Sequence, residues 1–135
     1  MGWIRIGRFD DFRGSNTFLI DADLAGLRRL TELITNVARS GESIRLDQDL
    51  DVALLGAMSV VIESSSEDGG LISTNDRDFV WRRSPAAWAE VADKLRSRQR
   101  SGHPCHQYLD GRADQLQVLA TFGEYGEEWW KRHAG

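Results

Sequence analysis

The segment from Ser84 to Gly102 constrains the fold most, because it carries a complete set of helix signals. Ser84 is a good cap for free backbone N–H groups, and Pro85 stands at the first helical position, where a missing N–H costs nothing. Apolar residues then follow at helical spacing, at Trp88, Val91, Ala92 and Leu95. Cationic side chains gather at the end, as the helix dipole favours. We therefore predict an amphipathic helix whose apolar face covers another element.

A second helix is predicted near the start of the chain. Asp21 or Asp23 can cap it, since a carboxylate accepts from free N–H groups and suits the dipole. One apolar stripe follows, formed by Leu24, Leu27, Leu30, Ile34 and Val37. Ser40 and Gly41 end the pattern. The spacing predicts a helix of about 16 residues.

The remaining segments favour strands. Trp3–Phe9 alternates apolar and charged residues, and a turn over Asp10–Asn16 leads to Thr17–Ile20, so we predict a hairpin. Further strands are predicted at 43–46, 59–63, 71–74 and 79–81, and a last hairpin turns at Asp110-Gly111 before a strand over 115–122. Residues 52–58 fit a helical turn or a strand, and 127–133 fit a short helix. Hairpin-length connections predict a mainly antiparallel sheet with the two helices on one face, a two-layer α+β sandwich.

Size and composition favour a single domain over residues 1–135, with no convincing internal sequence repeat. The one cysteine, Cys105, excludes an internal disulfide and a multi-cysteine zinc site. No apolar run has the length of a signal peptide or a membrane span. We expect a cytoplasmic protein without membrane contact.

Charge is unevenly distributed along the chain. The formal net charge is -4, but residues 41–78 hold nine acids and two arginines, while residues 79–102 hold six bases and two acids. An acidic middle beside a basic helix influences the choice of partner rather than the fold. General nucleic-acid binding favours a basic footprint, so we consider it unlikely from the composition.

No complete catalytic motif is present. His103, Cys105 and His106 resemble metal ligands, but Pro104 prevents a helix there and strand alternation turns His106 away from the other two. An ordinary loop-to-strand junction is the simpler interpretation, so we expect no metal and no cofactor. A cysteine nucleophile lacks a third, orienting group. The acidic pairs carry no sign of burial, which acid–base catalysis needs.

The C-terminal stretch is the most unusual candidate surface. Trp129 and Trp130 lie beside Tyr125 and among Glu124, Glu127 and Glu128. Aromatic side chains flanked by acids suit a binding surface for a basic partner. Alternatively, one or both tryptophans fold back to cover the core.

Three pieces of the chain carry a family resemblance. They are the strand–helix start Thr17-Phe-Leu-Ile-Asp-Ala-Asp-Leu-Ala-Gly-Leu-Arg-Arg-Leu, the stretch His106-Gln-Tyr-Leu-Asp110 before an alternating strand, and the ending Phe122-Gly-Glu-Tyr-Gly-Glu-Glu-Trp-Trp130. With these pieces the chain resembles small bacterial immunity proteins of polymorphic-toxin and contact-dependent-inhibition systems. The resemblance implies a non-enzymatic cytosolic inhibitor that binds a cognate toxin domain tightly, with carboxylates facing basic toxin sites.

The expected contact residues rest on exposure and chemistry. They are Glu63, Glu67, Asp68, Tyr108, Asp110, Glu124, Tyr125, Glu127, Glu128, Trp129 and Trp130. Two alternatives stay open: a small hydrolase that uses Asp or Glu with His106, and a structural homo-oligomer, such as a homodimer, with tryptophans at the self-interface.

Overall fold

The structure is a computed structural model that describes residues 2–12, 15–49, 52–55, 58–67, 69–73, 75, 77–101, 105–110, 117–122, 125 and 127–133. These ranges contain the strands β1 (Ile4–Phe12), β2 (Ser15–Ala22), β3 (Ile44–Arg45), β4 (Val52–Leu54), β5 (Ser59–Ser64), β6 (Gly70–Ser73), β7 (Asp78–Arg83), β8 (Cys105–Asp110) and β9 (Gln117–Phe122). The helices are α1 (Leu24–Ser40), α2 (Pro85–Ser101) and α3 (Glu127–His133), and one 3₁₀ turn spans Leu46–Gln48. The α+β class is confirmed.

Two mixed sheets replace the predicted antiparallel one. Sheet A has the strand order β4-β1-β2-β9-β8, and sheet B has the order β3-β5-β7-β6. The pairs β1–β4, β2–β9 and β5–β7 are parallel. The prediction of a mainly antiparallel arrangement holds for four of the seven strand pairs that the structure describes. The parallel pairs were not foreseen because connection lengths report only the local hairpins. The parallel pairs join strands that are distant in the sequence.

The strand boundaries also differ from the prediction in places. The expected turn over Asp10–Asn16 is mostly strand, since β1 continues to Phe12 with an irregular register after Phe9 and β2 begins at Ser15. Residues 52–54 of the ambiguous segment form a strand. Gly102 and Gly111, expected to end α2 and to form the last turn, lie outside the described residues.

Both predicted helices and their caps are confirmed. The Asp23 carboxylate accepts the Gly26 N–H at 2.7 Å and also the Trp3 N–H at 2.9 Å, so the start of α1 is attached to the start of β1. Gly41 ends α1 with a positive φ of 75°, a conformation that glycine adopts without strain. The Ser84 hydroxyl accepts the Ala87 N–H at 3.2 Å at the start of α2.

The chain consists of two halves with the same order of elements. Each half is a strand pair, a 17-residue helix and a second strand pair: β1-β2-α1-β3-β5 and then β6-β7-α2-β8-β9, with β4 inserted between β3 and β5. The helices start 61 positions apart, at Leu24 and Pro85. The halves exchange their second strand pairs, so that β8–β9 completes sheet A and β3–β5 completes sheet B.

One hydrophobic core joins the halves. It contains the inner residues of both sheets and the apolar faces of α1 and α2. Phe18 of β2 and Phe79 of β7 also lie 61 positions apart, and their rings meet with centroids 5.3 Å apart. Trp81 and Trp88 form an edge-to-face pair at 4.8 Å. Because every sheet and the core need both halves, neither half has a complete core alone.

This exchange predicts the behaviour of the separated halves. We expect fragments 1–67 and 68–135 to show no cooperative unfolding alone, since each would expose the strand edge that the other half covers. An equimolar mixture should recover a cooperative melting transition, measured by circular dichroism. A cooperative transition in either fragment alone would contradict the exchanged arrangement.

Candidate functional site

The outer face of sheet A carries a polar row across its strands. Arg5, Asp21, Thr121 and His106 pair in register through β1, β2, β9 and β8. Directly paired residues project from the same face of a sheet. Asp21 is 0% exposed, and it accepts the Thr121 hydroxyl at 2.7 Å and the Trp130 Nε1–H at 3.1 Å. Helix α3 is therefore fixed to this face by a buried hydrogen bond.

Burial raises the pKa of Asp21 above its ordinary value of 3.8. The hydrogen bonds from Thr121, Trp130 and the backbone of Ala22 and the charge of Arg5 act in the opposite direction, but they do not outweigh the loss of hydration. Arg5 itself stacks 4.4 Å above the Trp3 ring, and its Nη1 is buried without a hydrogen-bond partner. This network is buried inside the protein, which favours a structural role.

An aromatic cluster continues from this network. Phe9 of β1 contacts the rings of Trp129 and Trp130 with centroids 5.3 and 5.8 Å apart, and Tyr125 contacts Trp129 at 4.5 Å. Trp130 is only 5% exposed, and it packs with Leu19 and Leu119, while Trp129 and Tyr125 are partly buried against the same cluster. Most of the predicted aromatic surface thus covers the outer face of sheet A.

The edge of sheet A beyond this cluster is more open. Tyr108 on the edge strand β8 is 41% exposed, and its ring lies 5.9 Å from that of the exposed His106. Tyr108 pairs with Leu119, so it lies on the outer face. Of the predicted contact residues, Tyr108 presents the most accessible aromatic ring.

Sheet B carries an aliphatic row at the equivalent position. Val61, Val80 and Ile72 pair in register across β5, β7 and β6. Val61 occupies the same position in β5 as Leu119 does in β9, counted from the strand ends. Val80 likewise occupies the same position in β7 as Leu19 does in β2. Ile72 is 38% exposed and both valines are half-buried. In sheet A this position is covered by Trp130, whereas the three residues of the row in sheet B belong to neither of the described hydrophobic clusters.

Charged residues border the aliphatic row. Arg45 of β3 pairs with Val61 at one end of the row. In the next row, Glu63 accepts from Arg82 at 2.9 Å, and the Glu63 carbonyl accepts the Trp88 Nε1–H at 3.0 Å. On the other side, the Ser59 hydroxyl and the Asn75 amide lower the pKa of Asp78. An apolar centre with a polar rim is the usual anatomy of a protein interface.

The predicted contact residues fall on two separate sheets. Glu63 and the exposed Glu67 belong to sheet B and the loop after β5, whereas Tyr108, Tyr125, Glu128, Trp129 and Trp130 belong to sheet A and α3. Asp110 lies in β8 and Glu127 begins α3; Asp68 and Glu124 lie outside the described residues. Val61, Ile72 and Val80 were missed because they lie in the continuous apolar runs 60–62, 71–72 and 79–81, which do not alternate with polar residues and so do not mark an outward face. Their lack of a cover is a tertiary property.

Within the described ranges, no three His, Cys, Asp or Glu side chains gather as a metal site would require, and none of the helices is long and apolar enough to cross a membrane. His103 and Pro104 of the His-Pro-Cys-His stretch lie outside those ranges. Comparison of the chain with protein-family models, curated proteins and solved structures found no match.

A double-mutant cycle tests the attachment of α3. Asp21→Ala leaves the Trp130 N–H without its acceptor and Trp130→Phe removes the donor, so each should lower the free energy of unfolding by about 1–3 kcal/mol. We expect the double variant to lose clearly less than the sum, because the two side chains form one interaction. Urea titration measures all three values. The matched cycle of Asp21→Ala with Trp88→Phe, whose bond lies at sheet B, should be additive within about 0.5 kcal/mol.

The pH dependence of stability tests the raised pKa of Asp21. The folded state retains this proton to a higher pH than the unfolded state does. The contribution of Asp21 to stability is thus fully present below the unfolded-state pKa and is lost as the pH rises through the folded-state pKa. Asp21→Asn can still accept from Trp130 and donate to Thr121, without titrating. The free energy of unfolding of the native protein minus that of Asp21→Asn should therefore fall from pH 4 to pH 7. A difference that rises with pH would contradict the raised pKa.

Proposed function

We propose that this chain is a non-enzymatic binding protein that neutralises a cognate toxin domain, as the resemblance to bacterial immunity proteins implies. The uncovered aliphatic row of sheet B supports a binding role most directly. It combines exposed apolar area with charged neighbours on an otherwise well-packed sheet. Soluble domains tend to cover such rows unless a partner does so.

The contact surface that we propose is centred on Val61, Ile72 and Val80. Glu63 and Glu67, which were expected to contact a partner, lie at the border of this surface or in the loop after β5. Its residues sit on paired strands rather than on loops, so the surface is preorganised and little ordering is needed on binding. A flat, rigid surface of this kind suits inhibition by occlusion of another protein's active site.

The aromatic residues of sheet A are a weaker candidate for the contact. Trp130 is buried, and its indole N–H is bonded to Asp21. A partner that bound Trp130 would first have to displace α3. Tyr108 and the partly exposed Trp129 are accessible without such a change, so they serve as the second surface in the test.

Affinity capture and growth rescue test the proposal together. The tagged protein is used to capture partners from its source organism, and each captured protein is then produced in a susceptible host with and without this chain. We expect one captured partner to arrest growth and the native chain to restore it. A partner without toxicity, or toxicity that this chain does not relieve, would refute the inhibitor function.

Matched variants locate the surface. Ile72→Glu and Tyr108→Glu each place one carboxylate at the exposed large hydrophobic side chain that the structure describes on its sheet. We expect Ile72→Glu to raise the Kd for the captured toxin about thirtyfold or more, which corresponds to about 2 kcal/mol, and to abolish rescue. Tyr108→Glu should retain both the native Kd for the captured toxin and the growth rescue. The reverse result would move the contact to sheet A, and melting curves confirm that both variants are folded.

A further inference from the structure

A polar groove lies on the helix side of the molecule, away from both surfaces considered above. It runs between α1 and α2 and has a volume of about 540 Å³. Arg28 and Arg39 lie along its α1 side, and Arg96 and Gln99 lie on its α2 side. Nothing in the sequence pattern predicted it, because it depends on how the two helices pack side by side.

Hydrogen bonds between the helices shape the groove. Arg96 of α2 donates to the Thr35 hydroxyl of α1 at 2.8 Å. The Thr31 hydroxyl lies 3.5 Å from the Gln99 side-chain oxygen, and it also donates to the Leu27 carbonyl at 2.8 Å. These contacts fix the spacing of the helices and leave hydroxyl and amide groups along the bottom of the groove. An apolar occupant would remove water from the guanidinium and amide groups that line the groove, so the groove favours a polar one.

The charge of the groove is positive. Three arginines line it, and its one carboxylate, Glu32, already lies 3.9 Å from Arg29 outside it. Arg96 pairs with the exposed Asp93 at 2.9 Å. Arg28 and Arg39 take part in no ion pair with any residue that the structure describes. Two guanidinium groups are thus available for an anionic partner, and guanidinium binds carboxylates with two parallel hydrogen bonds.

The spacing of these arginines indicates an elongated partner. Arg28 and Arg39 are three helical turns apart on one side of α1, about 16 Å at 1.5 Å per residue. A single carboxylate or phosphate cannot reach both. An extended peptide of about five residues, at about 3.3 Å per residue, spans that distance. Side-chain hydroxyls and amides between the two arginines can bond to its backbone.

The chemistry favours a peptide over a nucleic acid. None of the described residues that line the groove is aromatic, so these residues offer no surface on which bases stack. The chain as a whole carries a net charge of -4, which opposes a long polyanion. A short acidic segment meets the three arginines of the groove, where Glu32 is the only carboxylate among the described lining residues.

We propose that the groove between α1 and α2 binds an extended acidic segment of a partner protein. Arg28 and Arg39 bind carboxylates at its two ends, and Arg96 binds one near its middle. The groove is separate from the aliphatic row of sheet B, so its occupant does not depend on toxin inhibition.

Fluorescein-labelled hexaglutamate serves as the probe, with hexalysine and a six-nucleotide oligothymidine as comparison ligands. Fluorescence anisotropy at low salt should show binding of hexaglutamate and none of hexalysine. Arg28→Gln/Arg39→Gln should raise the Kd for hexaglutamate at least tenfold. The control Lys94→Gln/Arg100→Gln removes the same charge from α2 outside the groove, and it should change the Kd less than threefold.

Three results would overturn the proposal. One is no binding of hexaglutamate by the native protein. Another is an equal loss in both double variants, which would indicate attraction by overall charge alone. The third is that the native protein binds the oligothymidine more tightly than hexaglutamate and that Arg28→Gln/Arg39→Gln loses this binding. That result would assign the groove to nucleic acid. Circular dichroism of the variants ensures that a loss of binding is not a loss of fold.

Discussion

The parallel pairings β2–β9 and β5–β7 are the constraint on which the rest of the structure depends. Each joins a strand of one half of the chain to a strand of the other half. They place Phe18 against Phe79 and bring α1 and α2 side by side over a single core. Hydrophobic burial is the main favourable contribution to folding, and here it is complete only when both halves are present. The exchange of strand pairs therefore makes folding cooperative over the whole length of the chain.

The two sheets then differ because the two halves lead into different segments of the chain. After β9 the chain continues into α3, which returns across the outer face of sheet A and buries Trp130 on Leu19 and Leu119. After β5 it passes through a short loop into β6, and the equivalent valines of sheet B receive no such cover from the described residues. The buried pair Asp21–Thr121 in sheet A corresponds to the partly exposed ion pair Arg82–Glu63 in sheet B. Equivalent positions thus hold a buried polar network in one sheet and a partly exposed one in the other.

Local signals explain why the helices were predictable and the sheets were not. Asp23 and Ser84 act through backbone groups three residues away, and the apolar stripes of α1 and α2 repeat within a few turns. Strand alternation identified Trp3–Phe9 as a half-buried strand, but it contains no information on the partner strand. Asp21 and Thr121 are 100 residues apart, and Asp21, considered as a helix cap, proved to be a buried residue of β2. The same limit applies to the candidate surfaces, since exposure of Val61, Val80 and Ile72 depends on the absence of a cover rather than on their own sequence.

Charge separation gives the two sides of the molecule different electrostatic surfaces. Helices α1 and α2 together carry seven cationic and three anionic side chains, a net charge of +4 in a chain whose total is -4. If these charges served only stability, opposite charges would be expected to pair closely, because isolated surface cations contribute little. Arg28 and Arg39 instead lie on one side of α1 without an ion pair to any carboxylate that the structure describes. Over distances beyond about 8 Å, salt at physiological concentration screens the acidic side from the basic one. Each side therefore presents its own potential to an approaching molecule, which fits the two separate contact surfaces that we propose.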